Sequence, residues 1–159
     1  MSLKSDRLIP DGGTDISYFM NVAATRGLIV IHDTSGSGAA MDQALAAVKA
    51  PTAAGGVSGT NPAGLLLNDV VNYDLTRQHL NQHQDQVQLG SKVTLLRRGW
   101  VVTNNVSGTP NAGDRAYYNN IGSLTNVNTG IAANSTAVGR FLSAKDADGY
   151  AKVEINITG

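Results

Sequence analysis

Apolar and polar positions alternate most regularly near the C-terminal end of this chain. Over residues 151–157, Val153, Ile155 and Ile157 are separated by Lys152, Glu154 and Asn156. That is the period-two signature of a strand with one buried and one wet face. A partner run, 138–143, precedes it, and Asp146-Ala147-Asp148-Gly149 between them supplies turn residues, so a hairpin is expected. Upstream, 115–119 reads as a strand that can pair with 123–127 through Ile121-Gly122. Runs 92–96 and 100–103 flank Arg97-Arg98-Gly99, read as a hairpin connection with glycine at a position of positive φ. The runs 27–32 and 65–71 are nearly continuous in apolar residues and read as buried strands. Short strands at close spacing with turn signals between them indicate a mainly β protein.

The first 63 residues differ in texture from the rest. They alternate polar, glycine-rich pieces with short apolar ones, and Met41, Leu45 and Val48 recur at helical spacing, which predicts one short helix ended by Pro51. Residues 53–62 (AAGGVSGTNP) read as a flexible connection. The chain is therefore divided into an N-terminal arm or lobe, 1–63, and a β-sandwich domain, 64–159. A small barrel is the alternative for the latter, since strand order is not readable.

Composition narrows the function. The 159 residues carry 12 basic and 12 acidic side chains, a net charge of zero, and only 15% charged residues against a usual fraction of about 25%. The cations are scattered along the chain with no basic stripe, which argues against a nucleic-acid partner. There is no cysteine, so disulfides and thiolate chemistry are excluded. The opening residues contain no apolar core of a secretory signal, and no apolar run approaches the roughly 20 residues of a membrane span. A soluble chain with no membrane partner is expected. Glu154 is the single glutamate, while glycine reaches 18. Such a weakly charged, turn-rich surface suits a protein that spends its life against a partner.

Candidate chemistry does not assemble into a catalytic site. His79 and His83 are four apart with Asp85 following, a spacing compatible with zinc on a helix face. The intervening residues are Leu-Asn-Gln, without the glutamate base of the HExxH motif or a recognisable third ligand. Asp146 and Asp148 match the opening of a calcium loop, but glycine comes too early and a strand follows at once; a turn closed by Asp-to-backbone bonds is expected. Gly36-Ser37-Gly38 and Gly56-Val57-Ser58-Gly59 lack the GxSxG nucleophile pattern, and His32-Asp33 reads as a capped strand end. Acceptor-type triplets at Asn105, Asn134 and Asn156 are read as coincidence in an asparagine-rich chain. Trp100, Tyr117, Tyr118 and Tyr150 could form a sugar platform, though strand aromatics more often pack across strands in a core. No cofactor, metal or catalytic residue is expected.

Three stretches, LLLNDVVNYDLTRQHLNQHQDQVQLGSKVTLLRRGWVVTN (65–104), GDRAYYNNIGSLT (113–125) and VGRFLSAKDADGYAKVEINI (138–157), carry a family likeness; PDGGTDISYFMN (10–21) and RGLIVIHD (26–33) extend it. Together they resemble the structural cement, or head-decoration, proteins of tailed bacteriophages. The resemblance implies a non-enzymatic virion protein of β-sandwich, jelly-roll type, acting as a small symmetric homo-oligomer, with a homodimer preferred to a homotrimer. Its implied partner is the major capsid protein, on the outer capsid surface, after assembly in the host cytoplasm. It also implies that neighbouring capsid subunits are bridged against the pressure of packaged DNA.

The contact residues expected from the chain itself are Ile16, Tyr18, Phe19 and Met20 in the N-terminal segment. With them go Asp74, Arg77, His79, Asn81, His83 and Asp85 in the polar insert 74–86. That insert is rich in amide donors and acceptors, which can bind a polar surface without desolvating many full charges. A carbohydrate-binding β-sandwich module is the alternative reading. A zinc hydrolase using His79, His83 and Asp85 is a third.

Overall fold

The computed structural model describes residues 9–33, 47–51, 61–69, 86–87, 89–128 and 136–157. They form β1 (Ile9–Met20), β2 (Ala24–Thr25), β3 (Ile29–His32), β4 (Ala47–Lys49), β5 (Pro62–Asp69), β6 (Gln86–Val87), β7 (Lys92–Thr103), β8 (Val106–Ser107), β9 (Arg115–Tyr118), β10 (Leu124–Thr125), β11 (Gly139–Phe141) and β12 (Ala151–Asn156). Among the described residues there is no helix. The short helix expected around Met41–Val48 is not formed at its described end, where Val48 belongs to strand β4; Met41 and Leu45 lie outside the described residues.

One large mixed sheet holds ten of the strands, and β2 with β6 forms a separate two-stranded ribbon. The pairings define a ring of strands joined to a second sheet. β1 pairs with β4 in parallel and with β7 in antiparallel fashion. β4 pairs with β3, β3 with β5, and β5 with β7. These five strands close on themselves, which removes their free edges. Beyond β5, the same edge of β7 is taken up by β12, and the sheet continues through β11, β9, β10 and β8.

β7 is the strand common to both halves, and its middle explains how. The expected hairpin at Arg97-Arg98-Gly99 is not formed; the chain runs through as one 12-residue strand. Its ladder with β1 matches Thr14 to Leu96 but Gly13 to Arg98, so Arg97 is an extra residue, a bulge. Gly99 takes a positive φ of 147° just beyond it. The bulge re-aims the side chains. Before it, Val93 and Leu95 point into the ring, while Leu96 joins the core between ring and sheet. After it, Val101 enters that same core, and Arg98 and Trp100 turn outward. Continuous pairing on both edges holds the strand extended where turn-like residues would otherwise reverse it.

Two apolar clusters follow from this layout. Met20, Val30, Val48, Leu66, Val87, Val93 and Leu95 fill the ring under the β2–β6 ribbon. Ile29, Ile31, Leu65, Leu67 and Leu96 leave the opposite face of the ring wall. They meet Tyr118, Leu124, Phe141, Val153 and Ile155 of the second sheet. β3 and β5 are thus buried on both faces, the reason their sequences read as unbroken apolar runs. Each fully buried Leu or Ile contributes about 1.5–3 kcal/mol.

The two halves are also tied by polar contacts. Ile29 N donates to Gly122 O at 2.8 Å. Gly122 has φ +87°, and a β-carbon there would lie 2.6 Å from Ile29 O. Asn105 Nδ2 donates to Arg26 O at 2.7 Å, which uses one acceptor-triplet amide in a structural bond. The β11–β12 hairpin forms as its pattern predicts. In its loop Asp146 Oδ1 accepts from Asp148 N at 3.0 Å and Tyr150 N at 2.8 Å.

Candidate interface surfaces

The N-terminal contact candidates differ in burial, with a register shift in the β1–β7 ladder between Asp15 and Tyr18. Ile16 is 52% exposed, whereas Met20 is completely buried in the ring core. Tyr18 and Phe19 are half-buried. Tyr18 packs its ring against the edge of His32, 5.3 Å between centroids at 63°. The segment carrying them lies along β7, its β1 residues hydrogen-bonded from Ile9 to Phe19. Asp74, Arg77, His79, Asn81, His83 and Asp85 lie outside the described residues. Among the described residues no group of three or more His, Cys, Asp or Glu side chains converges.

His32 and Asp33, adjacent on an extended strand, serve different surroundings. Asp33 is buried; its carboxylate accepts from Lys49 Nζ at 2.9 Å and from Asn21 Nδ2. Its amide donates to Ala47 O at 2.9 Å, so the residue ties the ends of β1, β3 and β4 together. Burial pushes the His32 imidazole below its ordinary pKa, the Arg97 guanidinium adds to this, and the Asp15 carboxylate opposes it. Asp15 is itself held below the usual carboxylate value, chiefly by the Ser17 hydroxyl, with burial acting against the shift. The Ser17 amide adds a 2.8 Å bond to the same oxygen, and Arg97 and His32 contribute through their charges. Asp15 is thus engaged by Ser17, and Asp33 by Lys49 and Asn21.

The four candidate sugar-platform aromatics are not brought together. Tyr118 is in the core and Tyr117 is buried, as strand aromatics usually are. Trp100 is 38% exposed on the opposite face, and Lys152 Nζ sits 4.3 Å from its ring centroid. The indole face is thus occupied by a cation.

That opposite face is the feature the linear reading missed. Residues directly across an antiparallel ladder point to the same side of the sheet. Arg115 is matched to Arg140, Arg140 to Glu154, and Glu154 to Trp100, a single row crossing β9, β11, β12 and β7. All four are exposed. In the adjoining positions Asn156 is matched to Arg98, and Lys152 lies over Trp100. The alternate residues, Ala116, Phe141, Val153 and Ile155, fill the core beneath. Between the row and the β11 edge an open groove of about 290 Å³ is lined by Ala137, Gly139, Arg140, Glu154 and Asn156. At Gly139 a β-carbon would lie 1.8 Å from Glu154 O, so the close approach of β11 and β12 there requires glycine. The signal for this row was present in the period-two pattern, but joining its members required the register.

A second exposed feature is apolar. Gly90 N donates to Met20 O at 2.8 Å and Met20 N to Ser91 O at 2.9 Å, bringing two turns side by side. Those turns carry Val22 and Leu89, both exposed.

Both features are exposed surfaces on a body tied together by two cores and a closed ring. No curated protein sequence matches the chain. Residues 14–156 match the family described as structural cement protein (E217 gp24/Pam3 gp6), a span that begins within β1 and ends with the last residue of β12. The match covers both the ring and the second sheet, and the chain therefore belongs to the phage structural cement protein family, with a structural role in the virion capsid.

Proposed function

We propose that this protein is a non-enzymatic cement that binds the outer surface of a phage capsid, bridges neighbouring major capsid subunits and stabilises the shell against internal DNA pressure. The observation that carries this reading is the family match over residues 14–156. The fold is compatible with it: a ring without free edges, sharing β7 with a second sheet, can transmit load between partners as one piece. A homodimer suits the task, since two copies of the same contact surface act together and weak individual interfaces become adequate.

Within this reading the outward-facing Ile16 and the insert 74–86, with Asp74, Arg77, His79, Asn81, His83 and Asp85, are contact segments. Met20 is fully buried in the ring core of the single chain. The test is co-sedimentation of the purified protein with empty capsids of its phage, followed by thermal disruption of the decorated shells. The expected outcome is saturation at a copy number matched to the capsid lattice and a raised disruption temperature. Absence of saturable binding would refute the reading.

A further inference from the structure

We propose that the outer face of the second sheet, the row Arg115, Arg140, Glu154 and Trp100 with Lys152 beside it, is the docking surface for an acidic patch on the capsid shell. The proposal rests on the cement reading and adds the chemistry of the partner. Three cations, Arg115, Arg140 and Lys152, surround a single carboxylate in a chain whose total charge is zero. The described part of the molecule therefore concentrates on one flat face a positive charge that the whole chain lacks. Arg115 and Arg140 stand directly opposite each other across β9 and β11. Like charges in that arrangement destabilise a sheet; Glu154, matched to Arg140 on its other side, offsets one of the two cations, and an anionic partner would offset the other.

The composition of the row also fits a protein partner better than a polyanion. Trp and Arg are the residues that most often anchor protein interfaces. Trp100, with its ring under Lys152, presents an amphipathic anchor at one end of the row. Glu154 occupies the centre, where it would repel a phosphate backbone but could accept from a Lys or Arg of a shell subunit, setting the docked orientation. The groove beside it is lined by Ala137, Gly139, Arg140, Glu154 and Asn156. A carboxylate side chain at its Arg140 end would meet a guanidinium, a group able to form paired hydrogen bonds with it. Glu154 at the same groove restricts where such a side chain can sit.

The test compares binding of three full-length proteins to empty capsids: wild type, Arg115→Glu with Arg140→Glu, and Arg115→Lys with Arg140→Lys. All substitutions are on exposed positions, and folding is verified by an unchanged unfolding midpoint. Charge reversal is expected to weaken binding by at least about tenfold, while the lysine pair keeps affinity within a few-fold. Added salt should weaken the wild type more than the reversed variant. Unchanged affinity of the reversed variant, alongside wild-type binding, overturns this assignment and leaves the cement reading standing. Failure of the wild type to bind capsids overturns both. Sequence-independent binding to duplex DNA that is lost in the reversed variant, without loss of capsid binding, assigns the face to nucleic acid and also overturns the proposal.

Discussion

The ring and the second sheet solve the same packing problem in different ways. In the second sheet β12 has one buried and one outward face, alternating between core residues such as Val153 and Ile155 and surface residues such as Glu154. In the ring wall, β3 and β5 are buried on both sides: Val30 and Leu66 face the interior, Ile29 and Leu65 the second sheet. The difference teaches where function can reside. A wall buried on both faces has no side chains to offer a partner, whereas the second sheet keeps Arg115, Arg140, Glu154 and Trp100 exposed on its outer face.

The largest expected effect breaks the ring itself. Deleting residues 1–25 removes β1, its pairing with β7 and the buried Met20. Amide exchange on β3 and β5 should then accelerate strongly, while the β11–β12 hairpin keeps more protection. Equal loss of protection in both would show that ring and sheet unfold as one unit.

Single core truncations come next. Leu66→Ala and Leu95→Ala each empty space in the ring and should cost about 2–5 kcal/mol by chemical denaturation. On the sheet side, Gly139→Ala forces a β-carbon against Glu154 O and should cost about 1–3 kcal/mol, by overpacking instead of cavity formation. The contrast between the two mechanisms can be read from structures of the variants.

A smaller change probes the joint. Asn105→Ala removes the bond to Arg26 O and should cost about 1–2 kcal/mol, with the loss shared by both halves in exchange measurements.

The smallest effect concerns His32. Burial lowers the His32 pKa in the folded state below its ordinary 6.5. Between the folded and unfolded values the unfolded chain binds more protons, so stability rises with pH through that window and declines on acidification below 6.5. His32→Gln should flatten this part of the pH–stability profile. Asp15 and Asp114 also have lowered values, and their contributions persist until the pH falls below 3.8, so they do not blur the comparison.

Local chemistry was legible wherever neighbours in sequence are neighbours in space. The β11–β12 hairpin, with Asp146 closing its loop, and the β9–β10 pairing follow from alternation and turn residues alone. Arg97-Arg98-Gly99 misled for a definite reason. A bulge and a hairpin turn use the same residue types, and the choice depends on whether partners exist on both edges of the strand. The helical spacing of Met41, Leu45 and Val48 was equally ambiguous, since Val48 is buried in the ring by strand pairing with β1 and β3.

The amino-acid sequence by itself determined the mainly β character, the local turns, the neutral and cysteine-free composition and the family likeness, because each depends on residue type and short-range spacing. Tertiary structure alone decided that β1 closes a ring against β7, that Met20 is core while Ile16 is surface, and that Arg115, Arg140, Glu154 and Trp100 share one row. Those outcomes depend on the register between strands distant in the chain, and a one-residue shift would send every one of these side chains to the other face.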